Sequence, residues 1–261
     1  MNKAHLFDIE FDAVDMRGAV DRVYALVNRK QFACDYVVTP NIDHVVKLEK
    51  DQAFAAAYKD AAMVVADGKP LVLASWILGR SLPETVPGSD LVPAVFDGAV
   101  ERRQVITVFL FGAGPGVADS AAELIAERWG THVKVVGTLS PDFGFENDPQ
   151  ACEQIMAQIN ATHPDVLVIG LGAPKQEIWV HKFQNQLKVG VAFCVGATID
   201  FLAGEKKRAP DWVQMLALEW AYRIYQEPKR LTGRYAYDAW AFPQIFMREV
   251  FSRLKASHRT K

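Results

Sequence analysis

The residues of this chain best suited to chemistry stand where short apolar runs end. Asp67 follows the run Met63–Ala66 and precedes Gly68. A carboxylate there can face a cleft and take a proton from a substrate hydroxyl, or it can bond its own backbone as an ordinary turn residue. Thr39 and Asn41 flank Pro40 after the β-branched run Tyr36–Thr39; their hydroxyl and amide suit a sugar or phosphate oxygen, or a turn and a helix cap. Gly172-Ala173-Pro174-Lys175-Gln176-Glu177 sets a Gly-Pro turn before a helix. The first turn of that helix offers free backbone N–H groups, an amide and a carboxylate, although helix initiation alone also accounts for Pro174 and Glu177.

Gly112, Gly114 and Gly116 lie between a strand and a helix, a place where a helix N-terminus can hold phosphate. The spacing is not GxGxxG, because Val117 follows Gly116. The acidic ribose ligand of a dinucleotide site is also missing from the downstream region His132–Gly137. A tight strand-to-helix turn is the plainer reading.

The densest cationic stretch is Gly196–Tyr235, with Asp200, Lys206, Lys207, Arg208, Arg223, Lys229, Arg230 and Arg234 beside Trp212, Leu216, Trp220 and Tyr222. A buried helix face explains the apolar residues. Arginines just beyond them suggest phosphate, which arginine grips bidentately, or an anionic membrane surface. The formal net charge of −2 argues against a nucleic-acid binder. That charge is uneven: residues 206–261 carry 12 Lys/Arg and 5 Asp/Glu, a net of +7, against −9 for the rest. The histidines show no ligand spacing, and there is no Walker A, GxSxG or DxD. Asp8, Glu10 and Asp12 alternate with Phe7, Ile9 and Phe11, which reads as the wet face of a strand rather than a metal site. Neither a metal nor a cofactor is expected. Three separated cysteines without CxxC fit a reduced compartment. With no apolar signal core at the start and no run of ~18 apolar residues, a soluble or peripheral protein is expected.

Elements must carry these residues. Strands are expected at 36–39, 63–66, 105–111, 134–136, 166–169 and 189–195. Helices are expected at 44–58 (with Asp43 as N-cap), 70–78, 89–102, 117–129, 149–161 and 175–184. Apolar strands alternating with helices predict an α/β fold, a Rossmann-like, mostly parallel sheet flanked by helices. Past about Ala209 only helix and turn are expected, so the chain divides near Lys206 into a body (1–205) and a basic, aromatic helical appendage (206–261). In such a sheet ligands bind at the carboxyl ends of the strands, which gathers Thr39, Asn41, Asp67, Gly112–Gly116 and Gly170–Glu177 on one edge.

Taken in order, these motifs resemble the bacterial WecG/TagA/CpsF glycosyltransferases. The carriers are Thr39-Pro40-Asn41, Ala66-Asp67-Gly68, Gly88-Ser89-Asp90-Leu91, Gly172–Glu177, Arg208-Ala209-Pro210 and Glu219-Trp220, over about Tyr36 to Tyr235. The resemblance implies an inverting, metal-independent transferase. Its donor would be a UDP-sugar (N-acetylmannosamine, its uronic acid, or glucose) and its acceptor a polyprenyl-pyrophosphate-linked sugar at the inner face of the cytoplasmic membrane. It implies that Asp67 is the base and that Thr39, Asn41 and Gln176 line the site. The basic appendage would close over it and dock on the membrane. Substrate contacts are expected from Gly68, Gly112, Gly114, Gly172, Pro174, Lys175, Glu177, Asp200, Arg208, Arg223, Arg230 and Arg234. Family members commonly carry Arg in a PERxxG segment; here Thr85 holds that place, so either another cation substitutes, with Arg80, Arg208 or Arg223 as candidates, or this member handles a different substrate. Three readings of other kinds stay open: a nucleotide-dependent oxidoreductase using Gly112–Gly116, a non-catalytic membrane adaptor, and an appendage that packs on a neighbouring subunit in a homo-oligomer.

Overall fold

The computed structural model describes residues 2–29, 34–210, 213 and 218–259, the last four without their side chains. Trp212 and Leu216, singled out above, lie outside the described residues.

A short antiparallel hairpin, β1 (Lys3–Leu6) and β2 (Ile9–Asp12), leads into α1 (Met16–Val27). There follow β3 (Asp35–Val38), α2 (Ile42–Leu48), α3 (Gln52–Lys59), β4 (Met63–Val64), α4 (Lys69–Ile77) and α5 (Gly88–Glu101). Next come β5 (Ile106–Gly112), α6 (Val117–Trp129), β6 (Val133–Leu139), α7 (Pro149–Thr162), β7 (Val166–Gly170), α8 (Lys175–Phe183), β8 (Val191–Cys194) and α9 (Thr198–Leu202). Two helices finish the chain, α10 (Glu219–Gln226) and the long α11 (Pro228–Arg259).

The six strands β3–β8 pair in parallel in the order β4-β3-β8-β7-β5-β6. Both faces of the sheet are covered, which is why the strands read as unbroken apolar runs. Alternate strand residues feed two cores. Val38, Phe111 and Ile169 pack with α2, α3, α4, α7, α8 and α11 on one face. Val37, Leu110 and Val168 pack with α1, α5, α6 and α9 on the other. β3 thus leads into a helix on one face and β8 into a helix on the opposite face. Their diverging exits open a crevice at the carboxyl ends of these neighbouring strands, the usual ligand position of such sheets. Gly112 lies against β7 with no room for a side chain: a Cβ there would sit 2.6 Å from the Gly170 backbone, and its φ is +118°.

Two local expectations change. The helix expected over 44–58 is two helices, and Asn41, not Asp43, caps the first by accepting from His44 N–H at 3.3 Å; Asp51 caps the second through Phe54 N–H. Asp12 is not on a wet face. It is 2 % exposed, bonded by Arg22 and by Val64 N–H, because α1 and β4 close over the hairpin. The helices and turn expected after about 209 are found as α10 and the 32-residue α11, whose Ala241 and Ile245 enter the core while Phe242 packs edge-on against Phe7 of the hairpin. No helix of the described residues is long and apolar enough to cross a membrane.

Candidate active site

Asp67 stands three residues beyond β4. Its N–H donates to the Pro40 carbonyl at 2.8 Å, and Val86 N–H donates to the Ala66 carbonyl at 2.8 Å, so the exits of β3 and β4 and the chain before α5 are tied together. Gly68, at φ +113°, then turns the chain into α4. The Asp67 carboxylate lines a narrow cavity with Ser89, Phe201, Arg208, Glu219 and Arg223. Burial pushes it from the ordinary carboxylate range up to about 6. Arg223 opposes that shift, Glu219 and Asp90 add to it, and Arg208 opposes it again. Such a carboxylate is mostly ionised at neutral pH yet a stronger base than a free aspartate.

The cations over this cavity come from the chain beyond α9. Arg208 forks onto Asp90 in the first turn of α5, its second nitrogen 3.1 Å from Asp90 Oδ2. Arg223 of α10 lies 5.8 Å from the Phe201 ring centroid. Lys206 links Asp200 at 3.4 Å to Glu227 at 3.2 Å, and Gln226 bonds the Lys207 carbonyl. α10 is thereby laid over the Asp67 side of the strand-end crevice. Ser89, Phe201 and Arg208 also border a larger cleft of about 820 Å³ running between α5 and α6.

The other sequence-predicted residues divide by location. Thr39 is buried, its hydroxyl donating to the Cys194 carbonyl at 3.5 Å, and Asn41 is committed to capping α2. Both sit at the β3 exit beside Asp67. Gln176 and Glu177 are sealed, 2 % and 0 % exposed, and bonded to each other at 2.8 Å. Gly172 and Pro174 form the turn between β7 and α8, with a cis Ala173–Pro174 bond. Gly112 and Gly114 accept from the Ser140 hydroxyl through their carbonyls, so this loop is stitched to the β6 exit. Three cations do not join the Asp67 cavity. Lys175 pairs with Glu146 at 2.7 Å and lies over Phe143; Arg230 is exposed and pairs with Glu227; Arg234 points to Asp43 at 3.8 Å. For Arg230 and Arg234 the cause is helix direction: α11 starts beside the cavity and leads away from it along the face that holds α2, whereas Lys175 belongs to α8.

Ser89, Phe201 and Glu219 belong to the cavity but carried no role in the sequence reading. Ser89 and Glu219 do stand in the motifs GSDL and EW, the one signal that could have found them. Among the described residues, no group of three or more His, Cys, Asp or Glu is arranged to hold a metal ion.

Against known proteins, the profile described as "Glycosyl transferase WecG/TagA/CpsF family" matches residues 4–256. Three similar proteins come from Staphylococcus aureus strains MW2, NCTC 8325 / PS 47 and COL. Each is 28 % identical over 233 residues, covering 88 % of this chain and 87 % of the relative. All three are named N-acetylglucosaminyldiphosphoundecaprenol N-acetyl-beta-D-mannosaminyltransferase.

Proposed function

The chain belongs to the WecG/TagA/CpsF family of glycosyltransferases, and from that premise we propose that it transfers N-acetylmannosamine from a UDP-sugar to a polyprenyl-pyrophosphate-linked sugar, with inversion and without a metal. The observation that carries this reading is the placement of Asp67, a carboxylate raised to about 6, in one cavity with Arg208 and Arg223. The name shared by the relatives supports the transferred sugar and the lipid-diphosphate acceptor.

In the proposed step the acceptor hydroxyl oxygen forms a bond to the anomeric carbon as that carbon's bond to the UDP oxygen breaks. The hydroxyl proton passes to Asp67, and the bonding pair leaves with UDP. A single in-line displacement inverts the anomeric centre. Arg208 and Arg223 stabilise diphosphate charge in the cavity, which fits the absence of a cation at Thr85. Thr39 and Asn41 shape the crevice at the β3 exit, and Asp200 lies under the appendage beside Lys206.

The chain works in this reading as a peripheral protein on the inner membrane face. The outward side of α11 supports that placement: Tyr237, Trp240, Met247, Phe251 and Leu254 are all exposed on it, and aromatics near cations suit a headgroup region. The test is a screen of UDP-sugars against a short polyprenyl-pyrophosphate-linked N-acetylglucosamine acceptor. The expected result is an elongated acceptor with UDP-N-acetylmannosamine. Turnover of a different donor, or of none, overturns the assignment.

A further inference from the structure

Gln176 and Glu177 open α8 immediately after the turn that leaves β7, and both side chains are out of reach of solvent. The Gln176 side-chain carbonyl accepts from two backbone N–H groups, Gly172 and Gly196, each at 3.1 Å. These glycines bend the chain at the exits of β7 and β8, at φ +78° and +55°. The β7–β8 ladder itself ends at Ile169 and Cys194, where Val195 N–H still reaches the Ile169 carbonyl at 3.2 Å. Gln176 therefore continues the pairing of two strands past the point where their backbones part.

A primary amide has two ends of nearly equal shape and opposite polarity. Its carbonyl stays on the two glycine N–H groups only if the NH₂ end is held elsewhere, and the Glu177 carboxylate holds it at 2.8 Å. Turned over, the amide would face two donors with a donor and leave both glycine N–H groups and the Glu177 carboxylate without this partner. The other Glu177 oxygen is buried and has no partner. Lys47 of α2 braces the same turn from outside, bonding the Ala173 carbonyl at 3.2 Å and Asp43 at 2.7 Å.

We propose that Glu177 is a positioning residue: it acts through Gln176, fixing the amide orientation that holds the Gly172 and Gly196 turns at the spacing of the substrate crevice. It touches no substrate. The link to catalysis rests on the glycosyl-transfer reading above; the strut itself does not.

The test is a residue exchange in the full-length protein, read by kcat for transfer and by thermal melting. Gln176→Glu sets two carboxyl groups against each other, and the expected loss is about a hundredfold in kcat with a lowered Tm. Glu177→Leu removes the acceptor and loses about tenfold, and Glu177→Gln, which keeps an acceptor oxygen, restores most of it. In the double variant Gln176→Glu/Glu177→Gln, the acceptor for the glycine N–H groups remains and the donor now comes from position 177. Recovery of both kcat and Tm to near the wild-type values is expected. A double variant as slow as Gln176→Glu overturns the proposal, because it places the Gln176 amide on the substrate. So does a Glu177→Gln as slow as Glu177→Leu. If the wild type transfers no sugar, the function assigned above fails, and recovery of Tm in the double variant still decides the strut.

Discussion

Two charged clusters lie under the C-terminal helices, and they are built to opposite ends. Around Asp67 the arginines line a narrow cavity: Arg208, paired with Asp90, and Arg223 border it together with Glu219. Around Asp43 the charges are packed against one another. Asp43 and Asp238 are buried, Lys47 bonds Asp43, Arg234 approaches it, and His44 bonds Tyr58 at 2.6 Å while burial holds its imidazole down to about 4. The first arrangement leaves charge for a ligand to use. The second uses it to seat α11 on α2. Residues of one type, a few turns apart on successive helices, line a cavity in one place and pack one helix on another in the other.

The comparison breaks first at Asp67. Asp67→Asn is expected to lower kcat by about 10³-fold, the scale of a lost general base, with UDP affinity by calorimetry changed less than about threefold. Retained turnover removes the base assignment. The arginines sharpen it next. Arg208→Ala and Arg223→Ala should each lower kcat/KM by about 10–100-fold, whereas Arg234→Ala should leave turnover near the wild-type rate and lower Tm by a few degrees, from about 1–2 kcal/mol of lost compensation for buried carboxylates. The reverse pattern would exchange the roles of the two clusters.

Stability against pH comes third. The Asp67 carboxyl is raised in the fold to about 6 from an ordinary value of 3.8, so the folded state holds this proton more tightly than the unfolded chain does. Stability therefore falls as pH rises through about 6. Asp67→Asn removes that loss, so its Tm should exceed the wild-type value at pH 8, by an amount on the order of 1–2 kcal/mol, and match it near pH 4. Asp238, also raised to about 6, by burial and then by Asp43, should behave alike as Asp238→Asn in melting while transfer continues. The smallest effect is expected at Arg230, exposed and paired with Glu227: Arg230→Ala should change Tm by less than about 0.5 kcal/mol equivalent and activity less than twofold.

Much of this was legible in the residues, for physical reasons. Strands buried on both faces leave continuous apolar runs, so the strand expected over 105–111 is found at Ile106–Gly112. Strand exits in a parallel sheet gather on one edge, so Asp67 and Thr39 could be placed together before any coordinates. What failed depended on distant partners. Alternation put Asp12 in water, but Arg22 on the next helix and Val64, far along the chain, enclose it. The break between α2 and α3 has neither glycine nor proline, only the capping carboxylate of Asp51. Arg223 and Arg234 looked equivalent because their difference lies in where α10 and α11 run. Gln176, expected to line the site, also holds the Gly172 and Gly196 turns through its side-chain carbonyl, a pairing that its sequence neighbours cannot show.

The pH dependence of kcat/KM for transfer tests the central claim most directly. With Asp67 as the base at about 6, the rate should rise with pH through that value and level off above it, and Asp67→Asn should show no such limb. A wild-type profile flat from about pH 5 to 8, or the same limb in Asp67→Asn, would contradict the account.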